Sequence, residues 1–278
     1  MPKTINILYC YHGARFKVEA KSSISSLMKY NRDVAISIIC PNGEVVEDEF
    51  EIANHVSAIS IEAQGYGYKV KSICSHSRER FIFLDTDTRV VGDLGPLWEA
   101  TARSPIVGVV EPLSNSFYHL EWLNRPPTWS VEMKILPEIN TGVLAFNKLL
   151  LPGNFFEHWM NRHLELCRHN KSVSSGSIPD QPSFRQAIVD LNVTPLLIGL
   201  EYNYRPYYPQ TLYTSAKIIH AHQESQVAFK SGAGMENEIV STFPWGVSIS
   251  RGSLVNRGLY SLYRKLCSLC KFRSPSRR

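Results

Sequence analysis

The sequence predicts an α/β domain built around a mostly parallel central sheet, and three observations predict it. Short β-rich apolar runs alternate with segments of helical spacing, and turn residues close most of those runs. The length of 278 residues, with 44% hydrophobic and 20% charged composition, is enough to bury one large core.

The elements follow in order. Thr4 to Cys10 (TINILYC) reads as a first strand. Phe16, Ala20, Ile24, Leu27 and Met28 then recur at helical spacing until Asn31-Arg32-Asp33 breaks the pattern. Val34 to Cys40 (VAISIIC) is the next strand, closed by Pro41-Asn42-Gly43. Strand, helix, strand is the opening of a parallel sheet. His55 to Ile61 reads as a third strand, Gly67 to Ser77 as a helix, and Arg80 to Leu84 as a strand running into Asp85-Thr86-Asp87. Pro105 to Val110 and Gly142 to Phe146 are further strands. The aromatic, Pro-interrupted segment between them, Ser114 to Ile139, is long enough to predict a functional loop or lid, with Trp122 and Trp129 as sugar-stacking candidates. Helices are predicted over Phe155 to Arg168 and Asp180 to Val189, and strands over Val193 to Ile198 and Ala216 to His220.

The N-terminus lacks a basic region and a small-residue cleavage site, and no apolar run reaches eighteen residues, so the expected location is cytoplasmic or peripheral to a membrane. Six scattered cysteines form no disulfide framework and are expected to be reduced thiols. Cys267-x-x-Cys270 has no second pair to complete a zinc site. The net charge of +5 divides unevenly along the chain. Residues 251–278 carry eight cations and no acid, leaving 22 basic against 25 acidic residues before them, a net of −3. An anionic surface is therefore expected to meet the tail, and the absence of a stacking module argues against nucleic acid. The expected organisation is a catalytic domain over 1–245 and a basic, amphipathic tail over 246–278.

In α/β sheets ligands bind at the carboxyl ends of strands. Asp85 and Asp87 stand at such an end. Two carboxylates one residue apart repel unless a cation lies between them, and Mg²⁺ or Mn²⁺ suits oxygen ligands. The same four residues, Asp-Thr-Asp-Thr, also fit a turn that caps its own backbone. Two metal-using classes place DxD after an apolar strand. A phosphohydrolase would use Asp85 as nucleophile, but Arg89 stands at the fifth position and no later GDxxxD or DD run completes the site. A nucleotide-sugar transferase would use the acids to hold a metal on the donor diphosphate, with His220 suitably typed as a further ligand. A non-catalytic protein that binds a sugar nucleotide or a glycan is the third alternative.

Four segments together resemble the GT-A glycosyltransferases of family 8, the retaining group that contains glycogenin and the bacterial lipopolysaccharide α-galactosyltransferases. RERFIFLDTDTRVVGDLGPLW resembles the family's strand, DxD and following helix, and EINTGVLAFNK its FNAGV segment. PDQPSFRQAI resembles its DQD helix, and IIHAH its late strand ending in the metal-binding histidine. The resemblance spans roughly residues 4–222.

It implies a Rossmann-like GT-A domain that moves a hexose from a UDP-sugar, with Mn²⁺ or Mg²⁺, to an oligosaccharide or glycolipid acceptor such as a surface polysaccharide. Asp85 would touch ribose and metal, with Asp87 and His220 as metal ligands. Asn140 and Glu111 would face the donor sugar, Asp180 would bind donor hydroxyls, and Gln181 would sit beneath the anomeric carbon. Lys69, or Lys71 in its place, would reach the diphosphate, and Tyr9 or Tyr11 would meet the base. After His220 the chain reads HAHQESQVAFKSGAG where the family continues HxxGxxKPW, leaving Lys230 or His222 as stand-ins. The basic tail resembles that of the lipopolysaccharide galactosyltransferases and implies an anionic membrane surface as a partner.

Overall fold

The structure, a computed structural model, describes residues 4–41, 56–60, 65–111, 136–169, 178–205, 212, 214–220, 239–242 and 248–250. Trp122, Trp129, His222, Lys230, the Cys267–Cys270 pair and the tail beyond 250 lie outside the described residues. No described helix is long and apolar enough to cross a membrane.

The first half alternates strand and helix: β1 (Ile5–Cys10), α1 (Ala14–Tyr30), β2 (Val34–Cys40), β3 (Val56–Ser60), α2 (Gly65–Ser75) and β4 (Arg80–Leu84). The short β5 (Thr88–Val90), α3 (Gly95–Ala100), β6 (Ile106–Val110) and the long β7 (Ile139–Asn147) follow. Then come α4 (Phe155–His169), α5 (Gln181–Asp190), β8 (Leu196–Ile198), β9 (Ile218–His220) and the pair β10 (Ile239–Thr242) and β11 (Ser248–Ser250). That last antiparallel pair spans position 245, where the domain was expected to give way to the tail.

Seven strands form the main sheet in the order β3-β2-β1-β4-β7-β6-β8. All run parallel except β7, which is antiparallel to both its neighbours. The chain leaves β1 towards β2 and β3, then returns to its other side with β4. The carboxyl ends of β1 and β4 therefore flank a switch point, where the departing connections open a crevice.

Both faces of the sheet are covered, so its inner strands read as unbroken apolar runs. Ile82 and Leu84 of β4 pack with Ala20, Ile24 and Leu27 of α1 and with Leu97 and Trp98 of α3. Phe81 and Phe83, pointing the other way, pack with Ile73 of α2, Trp159 of α4 and Phe184 of α5. Among the expected helix-face residues, Phe16 is 40% exposed and lies outside this core.

Boundaries moved where local chemistry competes. The strand expected from Val193 starts at Leu196, because the Val193 amide still bonds the Ile188 carbonyl at the end of α5 (2.9 Å) and Asn192 turns at φ 49°. β7 begins at Ile139 rather than Gly142, so polar Asn140 and Thr141 belong to a strand. Among the described residues, Cys10, Cys40, Cys74 and Cys167 are free cysteines.

His76, just past α2, is buried edge-on against Phe81 (4.7 Å between centroids), and neither ring nitrogen has a hydrogen-bond partner among the described residues. Burial, reinforced by Lys148 and Arg78, pulls its pKa from about 6.5 down to about 4. Below pH 6.5 the unfolded chain binds a proton that the native chain refuses, so stability should fall as the pH drops towards 4, by at most about 1.4 kcal/mol per pH unit. Urea denaturation at stepped pH should register that slope in the natural protein and a flatter one in His76→Leu.

Candidate active site

β4 carries Asp85 to the carboxyl end of the sheet, beside the switch point. Its amide donates to the Gly142 carbonyl of β7 (2.8 Å), and the chain then turns, with Thr88 N–H bonded back to the Asp85 carbonyl (3.2 Å). The Thr88 hydroxyl donates to the same carbonyl at 2.7 Å. The turn reading of Asp-Thr-Asp-Thr holds: Thr88 caps it through the Asp85 carbonyl, and neither carboxylate is spent on that cap. From beneath, Ser23 of α1 bonds the Thr88 hydroxyl (2.9 Å), and Ser26 accepts from the Val90 amide (3.0 Å).

After the turn, β5 pairs antiparallel with β9, placing Thr88 opposite His220. This pairing, invisible in a three-residue segment of sequence, brings His220 across a gap of more than a hundred residues to the acids. Its Nε2 lies 3.2 Å from Asp87 Oδ1 and 3.8 Å from Asp85 Oδ2.

Lys69 of α2, and not Lys71, reaches Asp85: its ammonium lies 3.0 Å from both carboxylate oxygens, 3.3 Å from the Thr141 hydroxyl and 3.4 Å from Asp180 Oδ2. Burial pulls the Lys69 pKa down, but Asp180 and Asp85 outweigh it and hold it above the usual lysine range. Burial raises the Asp85 carboxyl above its ordinary value; Lys69 pulls against that shift, and the Asp87 charge adds to it. Asp180 stands at the N-terminus of α5, yet its side chain makes no cap hydrogen bond. The carboxylate is instead buried and turned towards Lys69. Helix capping thus does not account for Asp180.

Beyond Lys69 lies a buried polar network. β6 and β7 slip register between Gly108 and Val109, and in this bulge the Asn140 side-chain oxygen accepts the Gly142 amide (2.9 Å). The Asn140 amide nitrogen donates to Glu111 Oε2 (2.7 Å) and Gln181 Oε1 (3.2 Å). Gln181 in turn donates to Glu138 Oε1 (2.9 Å), and Arg205 forms a short ion pair with Glu111. Asn140 is therefore a residue of the strand bulge and the hub of the expected donor-sugar group.

Tyr9 and Tyr11 are placed differently from the others. Tyr9 is fully buried, its hydroxyl 3.0 Å from Ser23, and Tyr11 is 2% exposed. Burial makes both rings core residues below the turn, with no open face for a base to stack on.

The donor set fits a small divalent cation. Asp85, Asp87 and His220 each offer an atom within 4.8 Å of the others, two oxygens and one imidazole nitrogen. Octahedral ligands about 2.1 Å from an ion stand about 3 Å apart, close to the His220–Asp87 separation. Gly142 keeps the space clear, since a Cβ there would lie 2.1 Å from His220 Cε1 and 2.9 Å from Asp85 Oδ2.

The sequence matches no protein-family model. The fold does have solved counterparts. The galactosyltransferase LgtC, solved with donor and acceptor sugar analogues, aligns over 80% of this chain and 88% of its own at TM-score 0.56 and 11% identity. The glycosyltransferase GlyE of Streptococcus pneumoniae TIGR4 aligns over 99% of this chain and 65% of its own, at TM-score 0.53 and 13% identity. The fold is GT-A. In this GT-A chain the acids, Lys69, Asn140, Glu111, Asp180, Gln181 and His220 gather at one end of the sheet.

Sequence reasoning missed Asn203, Glu138, Arg205 and Thr141. Glu138 stood in the expected lid and Thr141 before the expected strand; Asn203 and Arg205 lie in the aromatic run EYNYRPYY, where no local pattern marks them. Gly142→Ala should force His220 and Asp85 apart and cost about 1–3 kcal/mol of overpacking, to be read as a lower urea midpoint at an unchanged denaturant slope.

Proposed function

We propose that the protein is a metal-dependent glycosyltransferase that moves a hexose from a UDP-sugar to an oligosaccharide or glycolipid acceptor, with retention of configuration. The observation that carries this reading is the convergence of Asp85, Asp87 and His220 on a space that Gly142 leaves open, at the switch point of a GT-A sheet. LgtC, whose fold the chain shares, was solved with donor and acceptor sugar analogues, and a glutamine counts among its active-site residues.

Asp85, Asp87 and His220 would hold Mn²⁺ or Mg²⁺, which supplies positive charge against the charge that builds on the leaving diphosphate. The chain's own residues supply the rest. Lys69 adds a buried, permanently charged ammonium beside the metal ligands. Asn140, fixed by the Gly142 amide, and Glu111, fixed by Arg205, present oriented polar groups to the donor sugar. Asp180 keeps its carboxylate for the donor hydroxyls. Gln181, held by Glu138 and Asn140, offers its side chain beneath the anomeric carbon. Pre-set donors and acceptors of this kind need little reorganisation as charge develops. The acceptor hydroxyl then attacks from the face the diphosphate leaves, and the diphosphate takes its proton.

A thermal-shift screen of nucleotide sugars with and without Mn²⁺ tests metal, base and sugar together. A UDP-hexose should raise the melting temperature only when Mn²⁺ is present, and Asp87→Ala should abolish the gain. Calorimetry showing unchanged Mn²⁺-dependent binding in Asp87→Ala would sink the assignment. We propose further that the eight cations of residues 251–278 hold the enzyme on an anionic membrane surface, each contributing about 1 kcal/mol. Ending the chain at residue 250 should then sharply reduce cosedimentation with phosphatidylserine vesicles at low salt; retained binding would locate the contact elsewhere.

A further inference from the structure

We infer that Asn203 is a positioning residue that fixes the tautomer of His220, and that the proton on this ring is dictated by a backbone amide two side chains away. The inference rests on the metal reading of Asp85, Asp87 and His220 only for its effect on affinity; the tautomer itself follows from hydrogen bonding alone.

The chain of constraint begins at Gly142. A backbone N–H can only donate, and this one points at the Asn140 side chain at 2.9 Å, so Asn140 must present its oxygen there. A flipped Asn140 would set its NH₂ against that N–H and turn its oxygen onto the Glu111 carboxylate, which now receives the Asn140 amide at 2.7 Å. With Asn140 Oδ1 fixed, the group facing it from Asn203 at 2.9 Å must be the Nδ2 donor. Asn203 Oδ1 is thereby left facing His220 Nδ1, 2.9 Å away, and an amide oxygen can only accept. His220 Nδ1 must therefore carry the hydrogen. Neutral imidazole then has its lone pair on Nε2, the atom that faces Asp87 Oδ1 at 3.2 Å and Asp85 Oδ2 at 3.8 Å.

Every member of the relay is buried: Asn140 is 3% exposed, Asn203 1% and His220 4%. Water has little access to offer an alternative partner, and a wrong orientation would leave buried groups unpaired. The fold supports the geometry as well. Asn203 ends the short 3-10 turn Leu200–Asn203, and the next residue, Tyr204, bonds its carbonyl to the His220 amide (2.8 Å), fixing the two side chains against each other.

The consequence is a coupling between two parts of the site. The Asn203 amide that orients His220 also bonds Asn140, which orients towards Glu111 and Gln181, so a change in the donor-sugar group reaches the metal ligand through two hydrogen bonds.

Long-range ¹⁵N–¹H correlation on the histidine rings of the metal-free protein, assigned with His220→Gln, tests this directly. His220 should carry a hydrogen at Nδ1. A ring bare at Nδ1 in the natural protein overturns the inference without any Asn203 variant. In Asn203→Leu, which removes the acceptor at similar volume, the ring should populate both tautomers, and Mn²⁺ affinity by calorimetry should fall about 10–100-fold. Asn203→Asp keeps an acceptor for Nδ1 and should retain the Nδ1–H tautomer. A leucine variant that keeps both the tautomer and the Mn²⁺ affinity would also overturn it. If the natural protein has the Nδ1–H ring yet binds no Mn²⁺, the metal reading fails and the relay stands.

Discussion

The site depends on one backbone hydrogen bond, from the Asp85 amide to the Gly142 carbonyl. It ties the residue just past a parallel strand to the bulge of the one antiparallel strand in the main sheet. From that junction the acidic turn leaves in one direction and the Asn140–Gly142 bulge in the other. Because β7 runs backwards, its N-terminal half lies level with the carboxyl ends of β4 and β6. Residues from opposite ends of strands, Asp85 and Asn140, thus meet in one crevice. A fully parallel sheet would put the start of that strand at the far edge.

Charge arrangement follows from the same geometry. Asp85, Asp87 and Asp180 are drawn together at a partly buried end of the sheet, where repulsion is costly. Lys69 answers part of that cost from within the fold, and its ion pairs with Asp85 and Asp180 tie α2 to the start of α5. Breaking such a pair by removing one member costs far more than the pair contributes when intact, because the remaining charge is left buried. The Asp–Lys–Asp arrangement is therefore better understood as a constraint on geometry than as a source of stability.

How much was legible depended on whether the signal was local. Val34–Cys40 and Arg80–Leu84 were read to the residue, since strands buried on both faces leave a continuous apolar run with clear ends. Asp85, Asp87 and His220 were found because acids and an imidazole at strand ends carry a recognisable chemistry. β5 was not, because three residues pair with β9 only through a contact made across most of the chain. Asn203 left no trace either. Its two neighbours in the network, Asn140 and His220, and the Gly142 amide beyond Asn140, are assembled by strand crossing and bulge geometry that no spacing rule encodes. The side-chain direction of Asp180 was equally hidden: an acid before a helix announces a cap, and only the packed structure reveals that the carboxylate turned elsewhere.

The buried ammonium of Lys69 has a bearing on how the protein comes into being. Small metal domains whose acids or thiols repel cannot complete their fold until an ion arrives, so their synthesis is hostage to supply. Here part of the compensating charge is covalently attached and arrives with the polypeptide as α2 docks on the sheet. Assembly of this end of the sheet therefore has no need to wait for an ion, because the charge that holds Asp85 and Asp180 together is part of the chain itself.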